Sequence, residues 1–423
     1  MYRFLKIWHS PKIGGEVEIS GAKNAALPLL AATILSSRPV RLTNLPEVAD
    51  IQTMGRLLNR LGAEVKIENG VGEIDPTSLT GTTATYDIVK TMRASILVLG
   101  PLLGRFGRCQ VSLPGGCAIG ARPVDLHLKG LEQMGVSLRI EGGYIVAEGY
   151  PKGGEVYFDK ITVTGSENLI MAAALAEGKS RLINIAVEPE VIQLIEVLRE
   201  SGVSIRELGE REIEIEGSGG ELLPFPEEVE IIPDRIEAGT YLAAGAIANR
   251  EIKVKRVNPA DMEAVLAKFR EMGFGVEEGE GEITLKPARR IDPVEIVTAP
   301  HPQFPTDMQA QLMAVATQAE GVSFIEERLF ENRFMHVPEL NRLGADIQIR
   351  GQVAAVKGPT PLIGADVMAT DLRASSCLVL AGIVAEGETR VHRIYHLFRG
   401  YEKFVEKFRR VGVKMELDYE ETP

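Results

Sequence analysis

Apolar residues recur along this chain in two patterns, and the first of them ends each time at a glycine. Met54, Leu58 and Leu61 fall at helical spacing, so the segment before Gly62 is predicted to be a helix with one apolar face. A glycine directly after the last apolar position supplies the left-handed residue that commonly ends a helix. The residues after Gly62 then alternate between apolar and polar, as they do in a strand. The predicted local unit is therefore helix, turn and strand.

This unit occurs six times. Its glycines are Gly62, Gly135, Gly202, Gly273, Gly344 and Gly412. The intervals between neighbouring glycines run from 67 to 73 residues, and regular intervals of that kind indicate an internal repeat. We therefore predict six repeats that account for nearly the whole chain of 423 residues.

The second pattern is a segment that opens with charged or amide residues and continues as small, apolar residues. A helix that is apolar on all sides is a buried one, so we expect these six segments to form the domain cores, three to a core. The segments are residues 21–32, 91–100, 165–176, 234–245, 304–316 and 369–382. Their polar residues then lie at helix N-termini, which attract phosphate and carboxylate groups, although ordinary helix caps look the same. Among the charged residues at or near these positions are Lys23, Arg93, Asp307, Asp371 and Arg373.

A proline cluster at Leu223–Pro226 separates the third copy from the fourth. We therefore predict two domains of three copies each, an N-terminal domain of residues 21–229 and a C-terminal domain of residues 1–20 with 230–423. The strand around Val17–Ile19 has no preceding copy, so we expect it to close a sheet of the C-terminal domain. Abundant glycine and alanine with few aromatic residues favour an α/β fold.

One stretch, Ser112–His127, stands outside the repeat pattern. Its Pro-Gly-Gly sequence follows a predicted strand, so the chain is expected to enter an irregular loop there. Cys117 lies at the tip of this loop, and Arg122 offers a forked cation for a phosphate or a carboxylate. This pairing suggests chemistry on an anion, and the alternative is a turn that carries a passive cysteine.

Composition narrows the classes of function. The net charge of −12 argues against a nucleic-acid-binding surface over the whole protein. No apolar run approaches the roughly 18 residues of a membrane helix and no signal-peptide pattern is present, so we expect a cytoplasmic protein. Three cysteines without C-x-x-C spacing indicate neither a disulfide framework nor a zinc site. Phosphate-loop, dinucleotide-binding and nucleophile-elbow motifs are also missing, so no cofactor and no metal is predicted.

Six motifs together resemble one family over the whole chain. They are G-A-K-N-A, T-M-R-A-S, P-G-G-C-A-I-G-A-R-P-V-D-L-H, P-H-P-Q-F-P-T-D-M-Q-A-Q, F-E-N-R-F-M-H and A-T-D-L-R-A-S. The chain closely resembles the UDP-N-acetylglucosamine enolpyruvyl transferases, a branch of the enolpyruvyl transferase family. The cysteine loop makes the resemblance specific, because the sister enzymes that act on shikimate 3-phosphate lack it.

The resemblance implies an inside-out α/β barrel, in which two similar domains of three repeats bury their helices behind outer sheets and the active site lies between the domains. It also implies transfer of the enolpyruvyl group of phosphoenolpyruvate to the 3'-hydroxyl of UDP-N-acetylglucosamine with release of phosphate, in peptidoglycan synthesis and without a metal. Enolpyruvyl transfer to shikimate 3-phosphate, a non-catalytic UDP-sugar sensor and a repeat scaffold for protein partners are the competing hypotheses.

Carried over position by position, the resemblance implies that Cys117 is the general acid toward the methylene carbon and that Asp307 takes the proton of the sugar hydroxyl. Lys23, also expected to be catalytic, would hold phosphate and carboxylate with Arg122 and Arg399. The other expected substrate-binding residues are Asn24, Arg93, Pro123, Val124, Asp125, Leu126, Val163, Leu329, Arg333, Asp371 and Arg373. The segment Thr162–Asn168 departs from some relatives, which leaves its diphosphate contacts open.

Overall fold

The computed structural model describes residues 2–114 and 124–420. The chain divides into two compact units. The first unit holds the described part of residues 21–232, and the second holds residues 2–20 with 233–420. The predicted boundary at 229/230 falls inside the strand Glu228–Glu230, which belongs to the first unit. The domain assignment itself stays a prediction.

The described strands are short. In chain order they are β1 (Tyr2–Trp8), β2 (Glu16–Glu18), β3 (Val40–Thr43), β4 (Glu64–Glu68), β5 (Val71–Asp75), β6 (Thr83–Ala84), β7 (Arg108–Ser112), β8 (Ser137–Glu141), β9 (Tyr144–Glu148), β10 (Glu155–Tyr157), β11 (Lys179–Ile183), β12 (Ser204–Gly209), β13 (Glu212–Glu216), β14 (Glu228–Glu230), β15 (Ile252–Lys255), β16 (Gly275–Gly279), β17 (Glu282–Lys286), β18 (Glu295–Val297), β19 (Gly321–Glu326), β20 (Asp346–Arg350), β21 (Val353–Gly358), β22 (Asp366–Met368), β23 (Glu388–His392) and β24 (Met415–Glu420).

The α-helices of the described residues are α1 (Lys23–Ala32), α2 (Ala49–Arg60), α3 (Tyr86–Val89), α4 (Leu99–Phe106), α5 (Asp125–Gln133), α6 (Val163–Leu175), α7 (Pro189–Glu200), α8 (Arg235–Ala248), α9 (Glu263–Glu271), α10 (Gln309–Ala316), α11 (Val337–Arg342), α12 (Ser376–Val384), α13 (Tyr395–Phe398) and α14 (Phe404–Arg410). Short 3-10 helices span Thr33–Leu35, Arg93–Val98, Pro259–Met262 and Thr306–Met308. Within the described ranges, none of these helices has the length and apolar character that a membrane crossing requires.

The predicted repeat is visible in the sheets. The described strands form six four-stranded sheets, ordered β14-β3-β5-β4, β6-β7-β9-β8 and β10-β11-β13-β12 in the first unit, and β2-β15-β17-β16, β18-β19-β21-β20 and β22-β23-β1-β24 in the second. In each sheet the first strand is parallel to the second, and the remaining pairings are antiparallel. The shared order indicates that each sheet is one copy of the same unit.

The six predicted core segments are largely buried, although residues 91–100 form mainly the 3-10 helix Arg93–Val98, and the α-helix of that repeat begins only at Leu99. The apolar residues of α1, α4 and α6 lie in the core of the first unit, and those of α8, α10 and α12 lie in the core of the second. In α8, for example, every residue from Ile236 to Ile247 is buried. Helices on the inside with sheets packed around them are the inside-out α/β fold.

The six repeat glycines end their helices in the predicted way. Each has a positive φ, between +81° at Gly135 and +104° at Gly62, a region that residues with a Cβ rarely adopt. In each copy the next residue donates its N–H to a carbonyl in the last helical turn, for example Ala63 to Leu58 at 3.0 Å and Val413 to Phe408 at 3.0 Å. This is the six-to-one bond of a Schellman motif.

Strands from distant parts of the chain complete three of the sheets. The strand β2 pairs with β15, which confirms the expectation that the segment near Val17 closes a sheet in the second unit. In the same way β14 pairs with β3 of the first unit. The strand β1 lies between β23 and β24, in the place that the other sheets fill with a strand of their own repeat.

Candidate active site

Lys23 is the first residue of α1, and its ammonium group is buried. The Nζ atom lies 3.0 Å from Oδ2 of Asp50, and both side chains are less than one-tenth exposed. Asp50 belongs to the first turn of α2, where a carboxylate is favoured by the helix dipole. The ion pair therefore fixes the direction of the Lys23 side chain, while the neighbouring Asn24 is exposed at the same helix start.

A second group of expected residues of the first unit surrounds His127. Its Nε2 lies 3.2 Å from the hydroxyl of Thr164, and its Nδ1 lies 2.9 Å from the amide nitrogen of Asn168. Burial and, as a smaller cause, the positive charge of Arg93 lower the pKa of His127 to about 4. The imidazole is therefore neutral near pH 7 and joins the start of α5 to the start of α6.

The described residues of the expected substrate-binding segment 123–126 lie at the start of α5. Val124 precedes α5 and is buried, Asp125 is the exposed first residue of α5, and Leu126 is half-buried. Val163 is the first residue of α6, whose start is capped because Gly165 donates its N–H to the Thr162 hydroxyl at 3.1 Å. The structure thus brings the ends of these two segments together through His127.

Asn168 also holds the neighbouring repeat in place. Its carbonyl oxygen accepts the N–H of Gly100 at 2.8 Å, and its amide donates to the carbonyl of Ile96 at 2.8 Å. Ile96 belongs to the 3-10 helix that Arg93 begins. The Thr162–Asn168 segment therefore helps to position Arg93, because Asn168 binds the backbone of the 3-10 helix that Arg93 begins.

In the second unit the structure joins three expected residues in one buried ion network. An Nη2 atom of Arg333 lies 2.7 Å from Oδ1 of Asp307, and Nε lies 3.7 Å from Oδ2 of Asp371. Burial acts to lower the pKa of Arg333, but the two carboxylates outweigh it and raise that pKa above its usual value. The Arg333 side chain is 4% exposed and that of Asp307 is 27% exposed. Asp307 is thus the member of the network that solvent or a ligand can reach.

Asp371 and Arg373 belong to the turn that leads into α12. Oδ1 of Asp371 accepts the N–H groups of Arg373 at 2.9 Å and Ala374 at 2.7 Å, so the carboxylate caps this turn. The guanidinium of Arg373 pairs with Oδ2 of Asp234 at 2.6 Å and donates to the carbonyl of Gly400 at 2.9 Å. Asp234 in turn caps α8 by accepting the N–H groups of its first turn. Two core helices therefore share one buried charge pair at their starts.

Two other expected residues of this unit lie on connecting segments. Arg399 follows α13 and is half-buried. Leu329 is 37% exposed, which is high for a leucine, and its N–H is bound by the carboxylate of Glu327 at 2.9 Å. The expected residues Cys117, Arg122 and Pro123 lie outside the described residues.

Sequence reasoning did not single out several side chains that hold these groups. Asp50 and Asp234 are the partners of Lys23 and Arg373, and His127, Asn168 and Glu327 connect separate segments. The sequence of β19 gave no clear signal for Glu327, because the apolar Val322 and Phe324 lie on the exposed face of the strand and Glu327 follows Ser323 and Ile325 on the buried face. In the part of the chain that the structure describes, no group of three or more His, Cys, Asp or Glu side chains is placed to hold a metal ion.

Comparison with known proteins gives a consistent assignment. The family model described as EPSP synthase (3-phosphoshikimate 1-carboxyvinyltransferase) matches residues 8–408. A protein of Nitratiruptor sp. named UDP-N-acetylglucosamine 1-carboxyvinyltransferase is 59% identical over 98% of this chain and 99% of its own length. The chain belongs to the UDP-N-acetylglucosamine 1-carboxyvinyltransferase family. A Campylobacter lari protein of the same name is also 59% identical, over 97% of this chain and 98% of its own length.

A solved structure extends the assignment to three dimensions. The enolpyruvyl transferase NikO from Streptomyces tendae superposes with a TM-score of 0.89 at 26% identity and covers 98% of this chain and 99% of its own. Membership of the UDP-N-acetylglucosamine 1-carboxyvinyltransferase family therefore agrees with the inside-out fold of the two units and with their six repeats.

Proposed function

We propose that this protein transfers the enolpyruvyl group of phosphoenolpyruvate to the 3'-hydroxyl of UDP-N-acetylglucosamine and releases phosphate. The observation that carries the proposal is the 59% identity, over 98% of the chain, to a protein named for this reaction. The product is the first committed precursor of peptidoglycan, so the protein would serve cell-wall biogenesis, cell shape and cell division. Both substrates are charged small molecules, and we assign the reaction to the cytoplasm.

The proposed chemistry is addition followed by elimination. In the addition, the 3'-oxygen of the sugar bonds to C2 of phosphoenolpyruvate while Cys117 delivers a proton to C3, and Asp307 accepts the hydroxyl proton. In the elimination, C3 loses a proton and the C2–O bond to phosphate breaks, which regenerates the double bond. Asp307 suits the role of base because its carboxylate is 27% exposed yet held on one side by Arg333 at 2.7 Å.

Fixed positive charges would stabilise the anionic groups. Lys23, Arg122 and Arg399 are proposed to hold the phosphate and carboxylate of phosphoenolpyruvate. Lys23 is supported in this role by its buried pairing with Asp50, because a side chain that is already oriented loses little entropy when it binds an anion. Asn24, Arg93, Val163 and the segment 123–126 would contact the sugar nucleotide, together with Leu329 and the network of Arg333, Asp371 and Arg373.

The decisive test is the acceptor that releases phosphate from phosphoenolpyruvate. We expect release with UDP-N-acetylglucosamine and none above background with shikimate 3-phosphate. Release with shikimate 3-phosphate alone would favour the acceptor named by the family model. Tight binding of UDP-N-acetylglucosamine with no release from either acceptor would favour a sensor of UDP-sugars.

The acid is tested by Cys117→Ala. Turnover should disappear while UDP-N-acetylglucosamine binding persists, because the substitution removes the proton donor and leaves the sugar contacts in place. Alkylation of the thiol by an epoxide such as fosfomycin should abolish turnover of the parent protein in the same assay. Full activity of the alanine variant at neutral pH would contradict the assignment.

A further inference from the structure

One buried carboxylate of the second unit has no part in the chemistry proposed above. Glu327 follows β19 directly, and its side chain enters the interior because it continues the inward phase of that strand. The residue is 2% exposed. A buried carboxylate is costly unless it is well hydrogen-bonded, so its partners define what it does.

Glu327 accepts five hydrogen bonds from three directions. Oε1 accepts the hydroxyl of Thr298 at 2.8 Å and the N–H groups of Leu329 at 2.9 Å and Phe330 at 3.2 Å. Oε2 accepts the hydroxyl of Thr306 at 2.8 Å and the amide of Gln309 at 3.3 Å. One carboxylate thus fixes both the backbone at Leu329 and the 3-10 helix that contains Asp307.

The contact with Thr306 determines where that hydroxyl proton points. Thr306 donates its proton to Glu327, so its oxygen is left as an acceptor for Nη1 of Arg333, at 2.9 Å. The other terminal nitrogen of Arg333 binds Asp307 at 2.7 Å. The chain of contacts therefore runs from Glu327 through Thr306 and Arg333 to Asp307, with every donor facing an acceptor.

We propose that Glu327 is a positioning residue for the transfer reaction, one that orients Asp307 by holding Thr306 as an acceptor for Arg333. The inference rests on the proposed function, in which Asp307 receives the hydroxyl proton. Positioning matters because displacement of a reacting group by about 1 Å costs about 100-fold in rate. The same carboxylate sets the backbone that presents Leu329.

Glutamine has nearly the shape of glutamate but cannot reproduce this pattern. With its NH2 group toward Thr306, glutamine would donate to the hydroxyl, whose proton would then point at the Arg333 N–H. With its NH2 group toward Leu329, glutamine would face two backbone donors. Either orientation places donor against donor, so E327Q is expected to release Arg333 or the Leu329 segment.

The test is a double-mutant cycle between Glu327 and Thr306, read as kcat for phosphate release at saturating substrates. E327Q and T306V should each lower kcat by about 10 to 100-fold. Because both cut the same chain of contacts, the double variant should be no slower than the slower single variant. T306S keeps the hydroxyl, so its kcat should stay much closer to that of the parent than the kcat of T306V. The proposal would be overturned if the two losses of kcat multiplied in the double variant, or if E327Q had the kcat of the parent.

E237Q is the matched control for a change in a buried carboxylate. Glu237 is also 2% exposed and lies in the same unit, but its carboxylate binds Lys407 and the N–H of Ser20. E237Q should keep kcat within about twofold of the parent, since its effect is on stability. If E237Q lost as much kcat as E327Q, the proposal would be overturned, because removal of any buried carboxylate charge would then be enough to lower kcat.

The experiment separates this inference from the proposed function. If the parent protein releases no phosphate with UDP-N-acetylglucosamine, the proposed function fails. If the parent is active and E327Q equals it, only the positioning role fails. Should E327Q not fold, as judged by circular dichroism, the comparison of T306V with T306S decides, and equal kcat values in those two variants would overturn the positioning role.

Discussion

The two units are built from the same repeat, yet they hold their polar helix starts differently. In the first unit, α6 begins with hydroxyl and amide groups tied to a neutral His127, and the described ion pair at a core-helix start joins Lys23 to Asp50. In the second unit, α10 and α12 begin with paired ions that involve Asp307, Arg333 and Arg373. The repeat thus fixes where polar residues lie but leaves open whether neutral or ionic contacts hold them.

Buried glutamates show the same contrast. Glu167 is fully buried in the first unit, and burial together with the charges of Glu190 and Glu188 raises its pKa well above the usual value. Glu237 lies in the first turn of α8 in the second unit, where burial raises its pKa to about 7 although Lys407 pulls it down. Burial and two like charges therefore favour the neutral form of Glu167, whereas Glu237, which has a lysine partner, is divided between its charged and neutral forms near pH 7.

The largest difference between the units is expected in catalysis. Asp307→Ala should lower kcat by about 100 to 10,000-fold, because it removes a proton acceptor. Asp50→Asn should lower kcat by only about tenfold, since Lys23 keeps its charge and loses only part of its orientation. Both are measured as phosphate release, with KM determined separately. An effect of Asp307→Ala confined to KM would count against its role as base.

Two buried histidines, one in each unit, should make the protein less stable at acid pH. Burial lowers the pKa of both His127 and His336 to about 4, from a usual value of 6.5. Between those values the unfolded chain binds the proton and the folded protein does not, so stability falls as the pH falls. Each histidine should contribute a loss of roughly 1.4 kcal/mol per pH unit between about pH 6.5 and 4.

Matched leucine substitutions distinguish the contributions of the two histidines to stability. Either His127→Leu or His336→Leu should reduce the acid loss, as measured by urea unfolding from pH 7.5 to 4.5. At pH 7.5 only His127→Leu should be clearly less stable than the parent, because His127 bonds to Thr164 and Asn168 whereas neither ring nitrogen of His336 has a hydrogen-bond partner among the described residues. If the free energy of unfolding fell as steeply with decreasing pH in both variants as in the parent, this explanation would be ruled out.

The smallest effect should come from the buried glutamates, and it should differ in size between the two units. The folded pKa of Glu167 is raised, so its contribution to stability is present at low pH and is lost as the pH rises. Glu167→Gln should therefore stabilise the protein by about 1 kcal/mol at pH 8. Glu237→Gln should stabilise it less, by under about 1 kcal/mol at pH 8, because Lys407 offsets part of the burial that raises the pKa of Glu237. A larger gain for Glu237→Gln than for Glu167→Gln in thermal unfolding at pH 8 would refute the contrast.

Much of the fold was accessible from the sequence because it depends on local chemistry. A glycine such as Gly62 and the apolar spacing before it specify a helix end without reference to the rest of the chain. The uniformly apolar segments could be assigned to the interior for the same reason.

The partners of the site residues were not accessible, because they come from distant positions. Asp234 reaches Arg373 across most of the second unit's sequence, and Asp50 reaches Lys23 from another helix. Spacing along the chain carries no information about such pairs. Glu327 lies in a charged stretch that resembles a solvated turn, and the apolar Val322 and Phe324 before it, which are exposed, favour burial of the opposite face of β19.

The position of β1 between β23 and β24 has a consequence for the order of events during synthesis. Residues near the start of the chain must wait for strands more than 380 residues later before their sheet can form. The described strands of the first unit all come from residues 21–232, so we expect this unit to fold while the second is still emerging from the ribosome. During that interval the residues of β1 and β2 lack the strands with which they pair in the folded protein, and unpaired segments of this kind are sites of aggregation.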